Sequence, residues 1–244
     1  MPSILFLSDL HLSPQQLRLT QCFETFCAAP ARLAAEVYIL GDLFDYWLGD
    51  DQLREPYYQN IARHLAGVGA SGVSVFLQHG NRDFLIGERF AHEARVTLLP
   101  DPFALDLYGV RTVLTHGDLL CTNDEDYQVA RRFWRTPTRI RQYLVLPYFL
   151  RRWIAWRFRR RSMKAQGKSV YQTDVNQDTV VSCLLEHEAA RMIHGHTHRP
   201  DTHRFDLHGR ERERIVLPDW RDSGLYLEIS EAGCRVLEID GTQF

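Results

Sequence analysis

Five short apolar runs, each broken off by a compact polar motif, constrain the fold of this chain more than any other feature. ILFL (4–7) runs into SDLH, VYIL (37–40) into GDLFD and VSVFL (73–77) into QHGNRDF; RTVLT (111–115) leads to HGD and RMI (191–193) to HGHTH. Short β-rich runs ended by Gly or Asp read as buried strands with a functional loop at the carboxyl end. Helical patterns over roughly 14–29 and 56–70 separate the first three, and Ile61, Leu65 and Val68 keep helical spacing within the second. That alternation predicts an α/β fold. In α/β sheets ligands bind beyond the carboxyl ends of the strands, and all five motifs lie there. Toward the C-terminus, RIVLPDW, GLYLEIS and CRVLEID read as short antiparallel strands that complete a sheet.

The motifs carry ligand chemistry. Asp9 and His11 form a D-x-H pair, Asp42 follows Gly41, Asn81 follows Gly80 and His116 precedes Gly117. His196 and His198 alternate in HGHTH, so in an extended segment both point to one face. Carboxylates, an amide oxygen and several imidazoles suit Mn²⁺, Fe²⁺ or Zn²⁺ better than Ca²⁺. The set Asp9, His11, Asp42, Asn81, His116, His196 and His198 is too large for one such ion and fits two ions sharing a carboxylate, as in hydrolytic two-metal sites. His194, on the last strand residue, reads as a packing or supporting group, and His79 as support for its own loop.

Charge is distributed unevenly. The segment between Asp126 and Asp174 holds 13 of the 29 basic residues and none of the 31 acidic ones, interleaved with Trp, Phe and Tyr. It interrupts the strand alternation, so 127–173 reads as a helical cap inserted into a catalytic domain of 1–126 and 174–244. Thr136-Pro137 marks a helix start and Pro147 its end; Phe149, Trp153, Ile154, Trp156 and Phe158 follow on a short, two-sided helix. Such a cap could grip nucleic-acid phosphates, form a solvated arginine face or meet an anionic lipid surface. The five cysteines are odd in number and form no CxxC pair, which fits a reducing compartment. MPSILFLSDLH lacks the basic start and long apolar run of a signal peptide, and the longest apolar stretch elsewhere, LVLPYFL (144–150), is too short to span a bilayer. The expectation is a cytosolic protein with access to the inner face of a membrane.

The series DLH, GDLFD, GNRDF, HGD and GHTH resembles the calcineurin-like metallophosphoesterases. More narrowly, YILGDLFDYWLGDD, HGNRDFLIG, HGDLLCTNDEDYQ, DVNQ and IHGHTHRP are similar to the UDP-2,3-diacylglucosamine pyrophosphatases of lipid A synthesis, over nearly the whole chain. The resemblance implies a four-layer αββα sandwich beneath the cap. It implies two Mn²⁺ ions, one on Asp9, His11, Asp42 and His198, the other on Asp42, Asn81, His116 and His196, with Asp42 bridging. The implied catalytic residues are Asp42, Asn81, Arg82 and His196. The implied substrate contacts are Asn81, Arg82, His196, Asp124 and, on the cap, Ser162, Gln166 and Lys168, Gln166 standing where the family carries Asn. Leu144, Val145, Leu146, Phe149, Leu150, Trp153 and Trp156 would line an acyl groove. The implied products are UMP and 2,3-diacylglucosamine 1-phosphate, made by a peripheral protein on the cytoplasmic side of the bacterial inner membrane. Neither a nucleic-acid ligand nor an obligate protein partner is expected.

One departure from the broad family is informative. Its GNH motif offers a histidine to protonate the leaving group, and here the position is Arg82. A phosphate monoester, with a second pKa of about 6, leaves without that proton, and a guanidinium fork clamps phosphate. The substitution favours cleavage of a pyrophosphate over cleavage of an alkyl ester.

Overall fold

The computed structural model describes residues 3–164 and 174–239. Two sheets face one another. The first has the order β11-β10-β1-β2-β3-β4, with β1 Ile4–Leu7, β2 Glu36–Leu40, β3 Ser74–Gln78, β4 Thr97–Leu98, β10 Gly224–Ser230 and β11 Gly233–Ile239. The second runs β5-β6-β7-β9-β8, with β5 Phe103–Leu107, β6 Val110–Thr115, β7 Arg191–His194, β8 Asp201–Leu207 and β9 Arg210–Val216.

The five predicted runs form β1, β2, β3, β6 and β7. β1, β2 and β3 are parallel neighbours, and β6 and β7 are parallel neighbours in the other sheet. The centres of these strands are apolar on both faces because both faces are covered. Leu5 and Leu7 of β1 face the helices, while Phe6 faces the second sheet. Between the sheets Phe6, Tyr38 and Leu40 pack with Leu114, Ile193 and Ile215. Outside the first sheet lie α1 (Leu17–Ala28), the single turn α2 (Pro30–Leu33), α3 (Pro56–Ala70) and α4 (Glu88–Ala94). Outside the second lies α8 (Gln177–Glu186), whose Val180 and Leu184 pack on Val113 and Met192. The layers are therefore αββα. Of the three expected C-terminal strands, β10 joins the first sheet antiparallel to β1 and β11 pairs antiparallel with β10 at its edge, whereas β9 joins the second sheet parallel to β7.

The basic segment is helical: α5 (Glu125–Trp134), α6 (Pro137–Leu144) and α7 (Tyr148–Lys164). α6 starts at Pro137, as Thr136-Pro137 predicts. α5 begins two residues before the expected boundary because Asp124 caps it, its carboxylate accepting from Tyr127 N at 3.1 Å. α7 corrects the expectation of a short, two-sided helix: it runs for 17 residues, and its described side chains are not sorted by polarity. Phe149 and Trp153 are exposed while Arg151 is buried. The cause is a tether, since Arg151 donates to the carbonyls of Leu146 and Leu48 and to the Asp51 carboxylate, so a cation holds the inner side of α7. Among the described residues, no helix is long and apolar enough to cross a membrane.

Candidate active site

The site is built from loops that leave neighbouring strands and stay together. After β1 and β2 end, Asp9 N donates to Gly41 O, His11 N to Asp42 O and Leu12 N to Leu43 O, prolonging the parallel pairing into the DLH and GDL loops. The GDLFDYWL loop is anchored by its own apolar residues: Phe44 stacks on Trp47 at 4.7 Å, and both meet Tyr58 and Phe90 edge to face. Asp83 ties this loop to the next, accepting from Gly80 N and Leu43 N, each at 2.8 Å. The two loops touch so closely at Gly80 that a Cβ there would lie 2.1 Å from Asp42 Oδ1. Gly195 serves the same purpose on the HGHTH loop, where a Cβ would lie 2.2 Å from Asp9 Oδ2.

Backbone strain is concentrated here. Nine non-glycine residues among those described have positive φ, and five are candidate ligands: Asp9, His11, Asp42, His196 and His198. The left-handed region costs an L-residue about 1–2 kcal/mol, so these loops are held by their surroundings rather than by local preference.

All seven predicted ligands converge. Asp9, His11 and His198 offer ligand atoms within 4.8 Å of one another, and so do Asp9, Asp42 and His116. Asn81 Oδ1 lies 2.9 Å from both His116 Nε2 and His196 Nδ1. Asp42 stands between the halves, Oδ2 3.8 Å from His11 Nδ1 and Oδ1 3.9 Å from His116 Nε2. Arg82 is half-exposed beside it, its Nε 3.8 Å from Asp42 Oδ2 and its Nη1 3.3 Å from Asp45.

Hydrogen bonds outside this ring aim the ligand atoms. Asp9 Oδ2 accepts from Ser8 Oγ and His196 N, which leaves Oδ1 for His198 Nε2, 3.3 Å away. His116 donates Nδ1–H to Leu40 O at 2.8 Å, turning Nε2 inward. His198 Nδ1 faces Asp219 at 3.1 Å, a carboxylate–imidazole pair of the kind that orients metal ligands. His194 takes no place in the ring: Nδ1 donates to Gly195 O and Nε2 accepts from Arg214. His79 Nε2 donates to Ile86 O and supports its loop.

Burial and crowded carboxylates shift the protonation of this ring. Burial pushes the Asp42 carboxyl up to about 7 against the pull of His116. Burial also disfavours a charged His116 and a charged His198, yet adjoining carboxylates lift both to about 9. Burial lowers His11 to about 3 and His196 to about 4. Among the described residues His11 Nδ1 is buried without a hydrogen-bond partner, and His11 Nε2 and His198 Nε2 face each other at 3.4 Å. Two opposed imidazole nitrogens beside buried carboxylates form a donor set that divalent cations satisfy, so the residues fit a metal pair.

The cap reaches this ring through Asp118 of the HGD motif. Its buried carboxylate accepts from Tyr127 Oη (2.7 Å), Arg131 Nε (2.7 Å) and Arg135 Nη2 (3.1 Å), and Arg135 also donates to Gly80 O (2.7 Å). Of the expected substrate contacts, Asp124 caps α5 and Ser162 lies on α7, while Gln166 and Lys168 fall outside the described residues. Sequence reasoning missed Asp83, Asp118, Tyr127 and Asp219. The two acids inside GNRD and HGD were visible as extra carboxylates within a motif; Asp219 had no local signal.

Comparison with known proteins identifies the family. Residues 2–200 match the family model for calcineurin-like phosphoesterases. A Pseudomonas aeruginosa protein named UDP-2,3-diacylglucosamine hydrolase is 43% identical over 96% of this chain and 97% of its own length. A Hahella chejuensis protein of the same name is 44% identical over 96% of each chain. The crystal structure of TT1561 from Thermus thermophilus, 11% identical, superposes with a TM-score of 0.50 over 98% of this chain and 99% of that one, a likeness of fold alone.

Proposed function

Because this chain belongs to the calcineurin-like phosphoesterase family, we propose that it hydrolyses the pyrophosphate bond of UDP-2,3-diacylglucosamine. Water adds to the α-phosphorus, giving UMP, and 2,3-diacylglucosamine 1-phosphate departs. The observation that carries the reading is the convergence of seven ligand residues from five strand ends beside a half-exposed arginine, in a chain 43% identical to relatives of that name. Two Mn²⁺ ions would be held by Asp9, His11, Asp42 and His198, and by Asp42, Asn81, His116 and His196. Such a pair supplies Lewis acidity toward phosphoryl oxygen and activates water.

The chain's own groups do the rest. Arg82 clamps the phosphate and neutralises the charge left on the departing monoester, which needs no proton near neutral pH. His196, held neutral by burial, contributes a nitrogen lone pair. Asn81 and His196 adjoin the same developing charge and stabilise it. Ser162, Gln166 and Lys168 contact the sugar phosphate, and Asp124 contacts the substrate.

The cap, 127–173 on a catalytic body of 1–126 and 174–244, takes the acyl chains. Leu144, Val145, Phe149 and Trp153 are exposed on it, an unusual number of large apolar groups for so short a segment. Its arginines face anionic headgroups at the cytoplasmic side of the inner membrane, each near the surface contributing about 1 kcal/mol to reversible docking.

The test is UMP release from UDP-2,3-diacylglucosamine in detergent with Mn²⁺, with bis-p-nitrophenyl phosphate as a competing simple diester. The expected result is rapid UMP formation and little diester cleavage. An inert lipid substrate beside brisk diester cleavage would refute the substrate and leave only the metals.

A further inference from the structure

One cap residue grips a ligand-bearing loop without being a candidate ligand or substrate contact itself. Arg135 follows the last residue of α5, and its guanidinium reaches the GNRDF loop. Nη2 donates to Gly80 O at 2.7 Å, and Cζ lies 5.4 Å from the centre of the Phe84 ring, so the fork touches that loop on both sides of Asn81 and Arg82. The same nitrogen donates to Asp118 Oδ2 at 3.1 Å, which joins GNRDF to the HGD loop of His116.

Docking of the cap does not depend on this contact. Asp118 also accepts from Tyr127 and Arg131, while Arg151 and Tyr148 hold the rest of the cap on Leu48, Asp51 and Glu55. What Arg135 adds is a hold on one peptide unit. Gly80 C=O and Asn81 N–H lie in a single rigid plane, so fixing that oxygen fixes where the Asn81 side chain starts. Asn81 has little room for error, because its Oδ1 sits 2.9 Å from both His116 Nε2 and His196 Nδ1. Within the body, Gly80 N donates to Asp83 and Arg82 N to Asp42, and Arg135 supplies the matching hold from the cap side.

We propose that Arg135 is a positioning residue: by fixing the Gly80–Asn81 peptide it sets the affinity for the cation held by Asn81, His116 and His196, and so ties that half of the ring to the cap. The proposal rests on the two-metal reading above. Charge argues in the opposite direction. A guanidinium beside a metal site repels the cation, so a purely electrostatic role predicts tighter metal binding once Arg135 is removed. Positioning predicts weaker binding, and the sign of the change separates the two.

The experiment is equilibrium dialysis of the full chain against Mn²⁺, counting bound ions per chain as free Mn²⁺ rises. Wild type should bind two. Arg135→Ala should hold one as before and the other about 10–100-fold more weakly, the usual effect of losing a group that orients a metal ligand. Guanidinium chloride far below denaturing concentrations should restore the second ion, since the Arg135 side chain is 18% exposed and its place is open to solute. Sodium chloride should not. Arg135→Lys, a milder change that keeps the cation, should weaken the same ion by a smaller factor, which keeps the test decisive if the alanine variant does not fold. Arg151→Met, which loosens the cap away from Gly80, and Arg132→Ala, which removes an exposed arginine from the same helix, should leave both ions in place. Unchanged affinities in both Arg135 variants, tighter binding in Arg135→Ala, an equal loss in Arg151→Met or Arg132→Ala, or rescue by sodium chloride as readily as by guanidinium would each overturn the assignment. Fewer than two ions on wild type would instead refute the two-metal reading, and the assignment with it.

Discussion

The ligand-bearing loops and the cap helices follow opposite rules of burial. In the loops, Leu43, Phe44, Trp47 and Leu48 are all buried, and hydrogen bonds from Leu43 N to Asp83 and from Arg82 N to Asp42 tie the backbone around them. On the cap, Val145 is 84% exposed and Phe149 75%, while Arg151 is 3% exposed. The loops spend their apolar surface on holding a strained backbone. The cap leaves much of its apolar surface to water; Ile140 and Tyr143 pack on the core, and ion pairs and hydrogen bonds secure the rest: Arg151 to Asp51, Tyr148 to Glu55, and Arg131 and Arg135 to Asp118. A region that folds for itself buries its hydrophobes, whereas one shaped for an apolar partner keeps them available.

The sharpest way to break this contrast is at its chemical centre. Asp42→Ala removes the carboxylate standing between both halves of the ring, and turnover should fall by at least about a thousandfold, about 4 kcal/mol at 1.36 kcal/mol per decade. Metal content, measured in parallel, should drop as well. Full metal retention with wild-type turnover would dissolve the two-metal reading. Next comes the loop's anchor. Phe44→Ala deletes a fully buried ring from the cluster with Trp47, Tyr58 and Phe90 and should destabilise the protein by about 3–5 kcal/mol in denaturant unfolding. A cost near that of a surface change would mean that the loop is held from elsewhere.

A smaller effect separates proton from metal. In metal-free protein His116 and His198 have pKa values raised to about 9, against an ordinary value near 6.5 in the unfolded chain. A raised pKa contributes stability fully present below the unfolded value and lost as pH rises through the folded one. Asp42, raised to about 7, acts in the same direction across the lower part of that window. Metal-free protein should therefore melt at a lower temperature at pH 9 than at pH 6.5. Metal-loaded protein should not, because cations replace those protons. Equal slopes for the two forms would count against the metal pair.

Much of this was legible from the chain itself, and the parts that were not have a common cause. The strands found in advance are mostly interior ones with both faces covered, which write themselves as unbroken apolar runs. The strands missed, β4, β5 and β8, lie at sheet edges. Edge strands carry polar residues, and DTHRFDL of β8 is exposed at alternate positions, so neither hydrophobicity nor length announced it. The ligand set was readable because each member sits in a motif at a strand end. Asp219 was not, since it reaches His198 only once β10 and β1 have paired and Trp220 N has bonded to Asp9 O. The burial of Arg151 was hidden for a similar reason: its partners Leu48 and Asp51 lie about a hundred residues away along the chain.

The smallest expected change in stability tests the cap most directly. Phe149 and Trp153 lie four residues apart on α7 and are 75% and 52% exposed, so they share one face on which Phe149 buries little of its surface and Trp153 leaves about half open. Replacing both by serine should alter unfolding free energy by no more than about 0.5 kcal/mol per site, the ordinary range for surface positions. If their exposed area exists for acyl chains, the same variant should raise KM for the diacylated substrate about tenfold or more, since each fully buried side chain of this size contributes about 1.5–3 kcal/mol. Cleavage of bis-p-nitrophenyl phosphate, which has no acyl chain to lose, should stay at its basal rate. Losing stability without a KM effect would make these side chains part of the cap's own packing, and the contrast between the two regions would fail on that point.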